Sequence, residues 1–208
     1  MNVNYKFNPL MDDEDEDDDK PAKQPETPIM AKMQKAFIEK RKLFLWGPVF
    51  EKTIKPLVAQ MLFLEMDKPG EPITLYINSP GGSVTEGMIL YDTMKMISSP
   101  VHTVCIGLAA SMGSIILSGG VKGHRHIWPS AEVMIHQPSI GGMFQGVSAD
   151  LEIQAEQIRK TKEMGAKLLA NNCGQTYEKL LADLERDHWM DANEAVKYGI
   201  ADAVVDKF

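Results

Sequence analysis

The sequence predicts an α/β fold, because short apolar segments rich in β-branched residues alternate with segments of helical pattern. Two alternations share one form, in which an apolar strand and a turn of small residues lead into a helix. The first has its strand at 74–77 and its helix at 85–97, and the second has its strand at 101–107 and its helix at 111–118. A chain of 208 residues with 44% hydrophobic content can bury one core, so we expect one domain.

Three further elements follow from local pattern. Residues 31–40 have the spacing of a short basic amphipathic helix, with Met33 and Phe37 on its apolar face. Residues 132–135 indicate a buried strand. Residues 147–171 indicate a long helix, in which Ser148 is expected to be the N-cap and Asp150 to lie in the first turn.

The formal net charge of −7 comes from one place in the chain. Residues 12–19 are eight consecutive acidic residues, and without them 21 acidic residues face 22 basic ones. Because such a run repels itself, we expect residues 1–28 to form a disordered acidic tail and residues 29–208 to form the domain. A solvated tail or a propeptide is favoured over a docking element.

Ser111 has the surroundings of a nucleophile. It lies among small residues in the segment GLAASMG (107–113), where the predicted strand turns into a helix. The unpaired N–H groups and the positive end of a helix favour the negative charge that develops during acyl transfer. The alternative is that these small residues only allow close helix packing.

A serine nucleophile needs a base, and five histidines are available. His136 differs from the others because it follows a buried strand, at the edge of a sheet where catalytic groups often lie. A buried structural histidine is the alternative. The orienting carboxylate stays open at this level between Asp150, Asp183, Asp187 and Asp202.

A second glycine turn offers backbone donors. Residues 78–82, NSPGG, break the strand at 74–77 before the next helix, and two glycines let backbone N–H groups approach a ligand closely. An ordinary turn is the alternative.

Six motifs occur in one order, and together they resemble the proteolytic subunit of the ATP-dependent Clp protease, a resemblance that covers about residues 41–205. The motifs are LYINSPGG (75–82), YDTM (91–94), GLAASMG (107–113), MIHQP (134–138), ERD (185–187) and EAVKYG (194–199). The resemblance implies a crotonase-like α/β fold with a protruding helical handle at about 147–171. It also implies a serine endopeptidase that cleaves unfolded or threaded polypeptides and short peptides.

The resemblance assigns roles to individual residues. Ser111 is the implied nucleophile, His136 the implied base and acid, and Asp187 the residue that orients His136. The N–H groups of Gly82 and Met112 are the implied oxyanion hole. The implied peptide-binding positions, which flank an extended substrate, are Gly81, Ser83, Val84, Pro138, Ser139, Ile140 and Gly141.

The resemblance further implies two stacked heptameric rings and a partner AAA+ unfoldase. The long helix has more apolar positions than a helix tip needs, among them Leu151, Ile153 and Ile158. The N-terminal region departs from the family, because the apolar, tyrosine-containing segment that forms its axial loops is missing. Docking of the unfoldase is therefore open.

Other function classes find little support. Lys32, Lys35, Lys40, Arg41 and Lys42 lack aromatic platforms and phosphate loops, so we expect a solvated helix face and no nucleic acid. No Walker loop, metal-ligand spacing, signal core or membrane-length apolar run is present in the sequence. We therefore expect no cofactor, no membrane contact and a cytoplasmic location.

Two other functions compete with an active protease. The first is a catalytically silent or partner-activated ring subunit that regulates an active paralogue, and its catalytic residues could persist. The second is a crotonase-type acyl-CoA enzyme, which uses backbone oxyanion holes without a serine triad. The joint presence of Ser111, His136 and Asp187 argues against the second.

Overall fold

The computed structural model describes residues 28–139 and 147–207 and has a mixed α/β fold with a mostly parallel sheet. Within these residues, seven strands form one sheet, one helix precedes the first strand and six helices lie between strands. The strands are β1 (Lys42–Trp46), β2 (Ile73–Ser79), β3 (Val101–Ala110), β4 (Arg125–Ile127), β5 (Glu132–Ile135), β6 (His188–Met190) and β7 (Ala203–Val204). The helices are α1 (Pro28–Glu39), α2 (Glu51–Asp67), α3 (Val84–Met96), α4 (Met112–Ser118), α5 (Ser148–Cys173), α6 (Tyr177–Asp183) and α7 (Ala192–Tyr198). The predicted alternation of strands and helices is confirmed.

The parallel part of the sheet has the order β1-β2-β3-β4-β7. Its strands contribute side chains that are almost completely buried, such as Leu43, Leu75 and Ile77. Helix α2 covers this core with Ile54, Leu57, Met61 and Leu64. Since both faces of a parallel sheet are usually covered by helices, the apolar runs in these strands follow from the architecture.

Strand β3 has two different neighbours along one of its sides. Its first part pairs in parallel with β4, and residues Leu108–Ala110 pair in parallel with β5. The predicted strand ends at 107, but β3 continues to Ala110 because pairing with β5 extends it. Parallel neighbours end at the same edge of a sheet, so the ends of β3 and β5 lie together.

Arg41 corrects the prediction of a solvated basic face. It is buried, and its guanidinium donates to the carbonyl oxygens of Leu64, Glu71 and Pro72 and to the hydroxyl of Ser99. A buried guanidinium is tolerated because these acceptors satisfy its donors. Arg41 therefore ties α2 to the starts of β2 and β3.

Helix α5 agrees with the predicted long helix, with one local difference. Its N-cap is Val147, so the prediction for Ser148 is wrong by one residue, while Asp150 does lie in the first turn. Only its last third carries buried residues, which are Ala166, Leu169 and Ala170. Nearer its start, Leu151 and Ile153 are exposed within the described protomer.

Candidate active site

Ser111 lies between the end of β3 and the start of α4, where it is the N-cap. Its backbone has φ 53° and ψ −121°, a conformation that residues other than glycine rarely adopt. Its N–H donates to the carbonyl oxygen of Met134 in β5 at 2.8 Å. A sharp, strained strand-to-helix turn of this kind holds a serine hydroxyl at the top of a sheet.

His136 is the first residue after β5, and its ring meets Ser111. The distance between His136 Nε2 and Ser111 Oγ is 2.9 Å, which is hydrogen-bond distance. The contact follows from the sheet, because Ala110 of β3 is the register partner of Met134 of β5. Ser111 directly follows the end of β3, and His136 directly follows the end of β5.

Asp187 lies on the other side of the same histidine ring. Strands β5 and β6 are antiparallel, with Ile135 opposite His188, so the next step of the register places His136 opposite Asp187. His136 Nδ1 and Asp187 Oδ1 are 3.4 Å apart, which is longer than a charge-assisted hydrogen bond. The Asp187 side chain is 62% exposed in the protomer, whereas that of His136 is 26% exposed.

The three other aspartates have different surroundings. Burial opposes ionisation of Asp202, but bonds from the Arg125 guanidinium and backbone outweigh it, and the pKa of Asp202 lies below its usual value. Burial likewise opposes ionisation of Asp183, and bonds from Lys179 and Tyr198 lower its pKa. Asp150 is exposed at the start of α5. Of the four carboxylates, the structure brings Asp187 to His136.

The other histidines also lie elsewhere. His102 and His124 stack at a ring-centroid distance of 4.1 Å, and His126 lies beside His124. His102 is near the start of β3, and Ser111 follows the other end of that strand. The ring of His188 lies against Tyr198.

The glycine turn after β2 packs directly against Ser111. A Cβ atom on Gly81 would lie 2.7 Å from the Ser111 Cβ and 2.9 Å from the Met112 nitrogen. Gly82 has φ 146°, and a Cβ there would lie 2.5 Å from the carbonyl oxygen of Val49. Two backbone hydrogen bonds tie the turn to Val49: Val49 N–H donates to the Gly81 oxygen, and Ser83 N–H donates to the Val49 oxygen. Side chains at 81 and 82 are thus excluded by contact.

The two implied oxyanion donors have no competing acceptor among the described residues. The backbone hydrogen bonds there use the N–H groups of Gly81, Ser83 and Ser111, but not those of Gly82 and Met112. Met112 N–H belongs to the first turn of α4, which has no helical acceptor. Neither N–H group is therefore committed to an acceptor within the described residues.

A small apolar cleft, with a cavity volume of about 50 Å³, opens beside Ser111 and His136. Helix α5 forms one wall, where Gly165 approaches Ile115 of α4. The other lining residues are Val84, Met88, Met112, Ser114, Ile135, Pro138, Thr161, Lys162, Met164, Leu169 and Leu184. Such a cleft suits an apolar side chain.

A model of the Clp protease family matches residues 25–208. The chain belongs to the Clp protease family. It is therefore a Clp-type peptidase subunit, and the mixed α/β fold fits this family. Members of the family typically oligomerise and work with unfoldases.

The positions implied to bind peptide in this Clp protease have different surroundings. Val84 and Pro138 line the apolar cleft, while Ser139 lines a neighbouring depression with His136 and Asp187. Ser83 has partners within the protomer for its N–H, carbonyl and hydroxyl groups. Its N–H donates to the Val49 oxygen, and its carbonyl and hydroxyl accept from N–H groups of α3, which Ser83 caps. Ile140 and Gly141 lie outside the described residues.

Sequence reasoning missed the contribution of α5 to the cleft. Thr161, Gly165 and Leu169 recur every four residues and so lie on one helix face. This spacing is a usable signal only once α5 is known to pack on α4. From sequence, the apolar positions of this helix favour a contact between rings, with packing on its own domain as the alternative, and the cleft shows that the second half of the helix does pack on its own domain.

Metal ligation and membrane insertion have no counterpart in the described parts of this Clp protease. Within residues 28–139 and 147–207, no group of three or more His, Cys, Asp or Glu side chains could hold a metal ion. No helix in these ranges is long and apolar enough to cross a bilayer. Both cysteines are free thiols, Cys105 buried and Cys173 partly buried.

Proposed function

We propose that this Clp protease is a serine endopeptidase in which Ser111, His136 and Asp187 form the catalytic triad. The observation that carries the proposal is the 2.9 Å contact between Ser111 Oγ and His136 Nε2 at a strained strand-to-helix turn. Hydrogen-bonded nucleophile and base, with a carboxylate on the far ring nitrogen, are the recurring elements of this mechanism.

The reaction follows from the contacts of His136 with Ser111 on one side and Asp187 on the other. His136 takes the hydroxyl proton as Ser111 Oγ attacks the peptide carbonyl, and the N–H groups of Gly82 and Met112 stabilise the resulting oxyanion. The tetrahedral intermediate collapses as His136 donates its proton to the leaving amine. His136 then activates a water that hydrolyses the acyl-enzyme, and Asp187 stabilises the imidazolium in both stages.

The substrate is an extended polypeptide with an apolar side chain next to the scissile bond. The apolar cleft beside Ser111 supports this side-chain preference. Peptide binding through backbone groups at Val84 and residues 138–141 explains why few side chains need to be recognised. Gly81 and Ser83, whose backbone groups have partners within the protomer, shape the adjoining turn. Two free cysteines support action in the reducing cytoplasm.

Active-site labelling tests the mechanism. A fluorogenic peptidyl phosphonate should label Ser111 in the purified chain, and mass spectrometry should locate the adduct there. Ser111→Ala should lose the label and about 10⁶-fold in kcat, whereas Ser118→Ala, in the same helix, should keep both. Labelling that persists in Ser111→Ala would contradict the assignment of the nucleophile.

A second candidate function is a partner-activated subunit. The 3.4 Å separation of His136 and Asp187 and the exposure of Asp187 favour it, because a triad of this kind can need a neighbour to complete it. An assembled particle of the purified chain that is not labelled, but becomes labelled with a paralogue, would support this function.

Assembly into two stacked heptameric rings is part of the same proposal, with α5 as the handle and a crotonase-like core. Two observations support such a contact: Leu151 and Ile153 are exposed, and the buried residues of α5 all lie in its last third. Ile153→Asp should halve the particle mass in analytical ultracentrifugation, and Arg159→Ala on the same helix should not. An unchanged mass in Ile153→Asp would remove α5 from the contact between rings.

A further inference from the structure

Strands β2 and β3 change register just before they reach the active site. Ile77 pairs with Cys105, but Ser79 pairs with Ala109, so two steps along β2 correspond to four steps along β3. The extra residues lie in the segment 106–108. An insertion of this kind is a β-bulge, and it leaves a backbone N–H without its usual partner in the ladder.

The side chain of Asn78 occupies this bulge. Asn78 Oδ1 accepts a hydrogen bond from the Leu108 N–H at 3.1 Å, and its own backbone oxygen accepts from Gly47 N–H. A Cβ on Gly107 would lie 2.7 Å from Asn78 Oδ1, so glycine at 107 leaves room for the amide. The Asn78 side chain therefore replaces a strand partner at the bulge.

The bulge decides which residues meet at the end of the sheet. Without it, Ser79 would pair with Gly107, and Ser111 would lie two residues, about 6–7 Å, beyond its present place. With it, Gly81 packs against the Ser111 Cβ and the Met112 nitrogen. The two N–H groups implied in the oxyanion hole, of Gly82 and Met112, belong to the two strand ends that this shift brings together.

We propose that Asn78 is a positioning residue that sets the β2–β3 register and thereby aligns the oxyanion donors Gly82 and Met112. The inference rests on the proposed peptidase mechanism. Because the oxyanion forms only after attack, loss of this alignment lowers kcat and leaves KM nearly unchanged.

The experiment compares Asn78→Ala with Asn78→Asp, which keeps an oxygen acceptor in the same place. With a fluorogenic peptide substrate, Asn78→Ala should lower kcat about 10-fold to 100-fold with KM within twofold, and Asn78→Asp should recover most of the loss. Thr74→Ala, another half-buried position of β2, is the matched control and should keep kcat. A kcat of Asn78→Ala equal to that of Thr74→Ala would overturn the inference.

Gly107→Ala provides an independent variant, since it displaces Asn78 without changing it. It should reproduce the kcat loss of Asn78→Ala, and the double variant should be no worse than the poorer single one, because both remove the same contact. Additive losses would contradict the inference. Gly107→Ala compared directly with wild type keeps the test valid if Asn78→Ala fails to fold, and a wild-type kcat in Gly107→Ala would then overturn the inference.

Hydrogen–deuterium exchange separates this inference from the proposed function. Failure of the wild-type chain to react with the phosphonate would count against the mechanism alone. Exchange in a peptide spanning 105–112 should still be faster in Asn78→Ala than in wild type and be restored in Asn78→Asp, because Leu108 N–H regains its acceptor. Equal exchange in all three proteins would overturn the role of Asn78 in the register.

Discussion

The two ends of the proposed triad are built in different ways. At one end, Ser111 is held by a backbone hydrogen bond to β5 and by contact with Gly81, among residues such as Ala109 and Met112 that are almost fully buried. At the other end, Asp187 is largely exposed and lies 3.4 Å from the histidine. The nucleophile is fixed by the core, whereas the carboxylate depends on a surface segment.

That surface segment is held mainly by hydrogen bonds. Gln137 N–H donates to the Leu184 oxygen at 2.7 Å, and the Gln137 side chain donates to the Glu185 oxygen. Lys162 of α5 forms an ion pair with Glu185. Exposed polar contacts are individually weak, so the Asp187 end can be altered with little loss of stability, and the Ser111 end cannot.

The largest expected effect in this comparison is that of Asp187→Asn. We expect kcat to fall by about 10²-fold to 10⁴-fold, because the amide no longer favours the imidazolium or the productive tautomer. The midpoint of thermal unfolding should move by less than about 2 °C, since the side chain is exposed. Peptide turnover and calorimetry on one preparation measure both quantities.

Asp183→Asn is the matched control for Asp187→Asn. Asp183 accepts from the Tyr198 hydroxyl at 2.6 Å and pairs with Lys179, so its loss should lower the unfolding midpoint and leave kcat unchanged. The opposite ranking of the two variants in kcat would move the carboxylate role away from Asp187.

Gly81→Ala tests the buried end. The added Cβ would come within 2.7 Å of the Ala110 oxygen and the Ser111 Cβ, at a φ of 86° that alanine rarely adopts. We expect kcat to fall about 10²-fold to 10³-fold through displaced oxyanion donors, together with a lower unfolding midpoint. Gly70→Ala also has positive φ but open space around it, and it should lower stability alone. If Gly81→Ala unfolded at the same temperature as the wild type, the claim that the Ser111 end cannot be altered without loss of stability would be wrong.

The smallest expected effect concerns acid stability at the start of β3. Burial lowers the pKa of His102, and the charges of His124 and His126 lower it further. The unfolded chain therefore takes up a proton near the ordinary value of about 6.5 before the folded chain does. The free energy of unfolding should fall as the pH drops from about 6.5 towards the folded-state pKa, and level off below it.

His102→Asn should flatten that pH dependence. The slope should decrease by at most about 1.4 kcal/mol per pH unit, the limit for one proton. Unfolding midpoints at pH 5 to 7 and fixed protein concentration measure it, because assembly makes the midpoint depend on concentration. If the free energy of unfolding changed with pH equally in wild type and in His102→Asn, groups other than His102 would be responsible for the acid sensitivity.

Local pattern predicted the strands and helices around Ser111 because each has its own periodicity and its own glycine or small-residue turn. Boundaries were less accurate where a tertiary neighbour extends an element, as with the continuation of β3 to Ala110. Arg41 was assigned to a solvated face because a basic residue beside other basic residues gives no sign of the carbonyl oxygens that bury it.

The sequence by itself determined the α/β alternation, the small-residue turn at Ser111, the glycine turn at 81–82 and the strand end that carries His136. These are local properties, because turns and periodicity depend on neighbouring residues. Local pattern left four aspartates open as partners of His136, and Asp187 was implied only by the motif resemblance; the tertiary structure brings Asp187 to His136. The tertiary structure alone decided how α5 forms the cleft and where the β2–β3 bulge places Ser111. Strand register and helix docking join residues far apart in the chain, and local sequence does not encode such pairings.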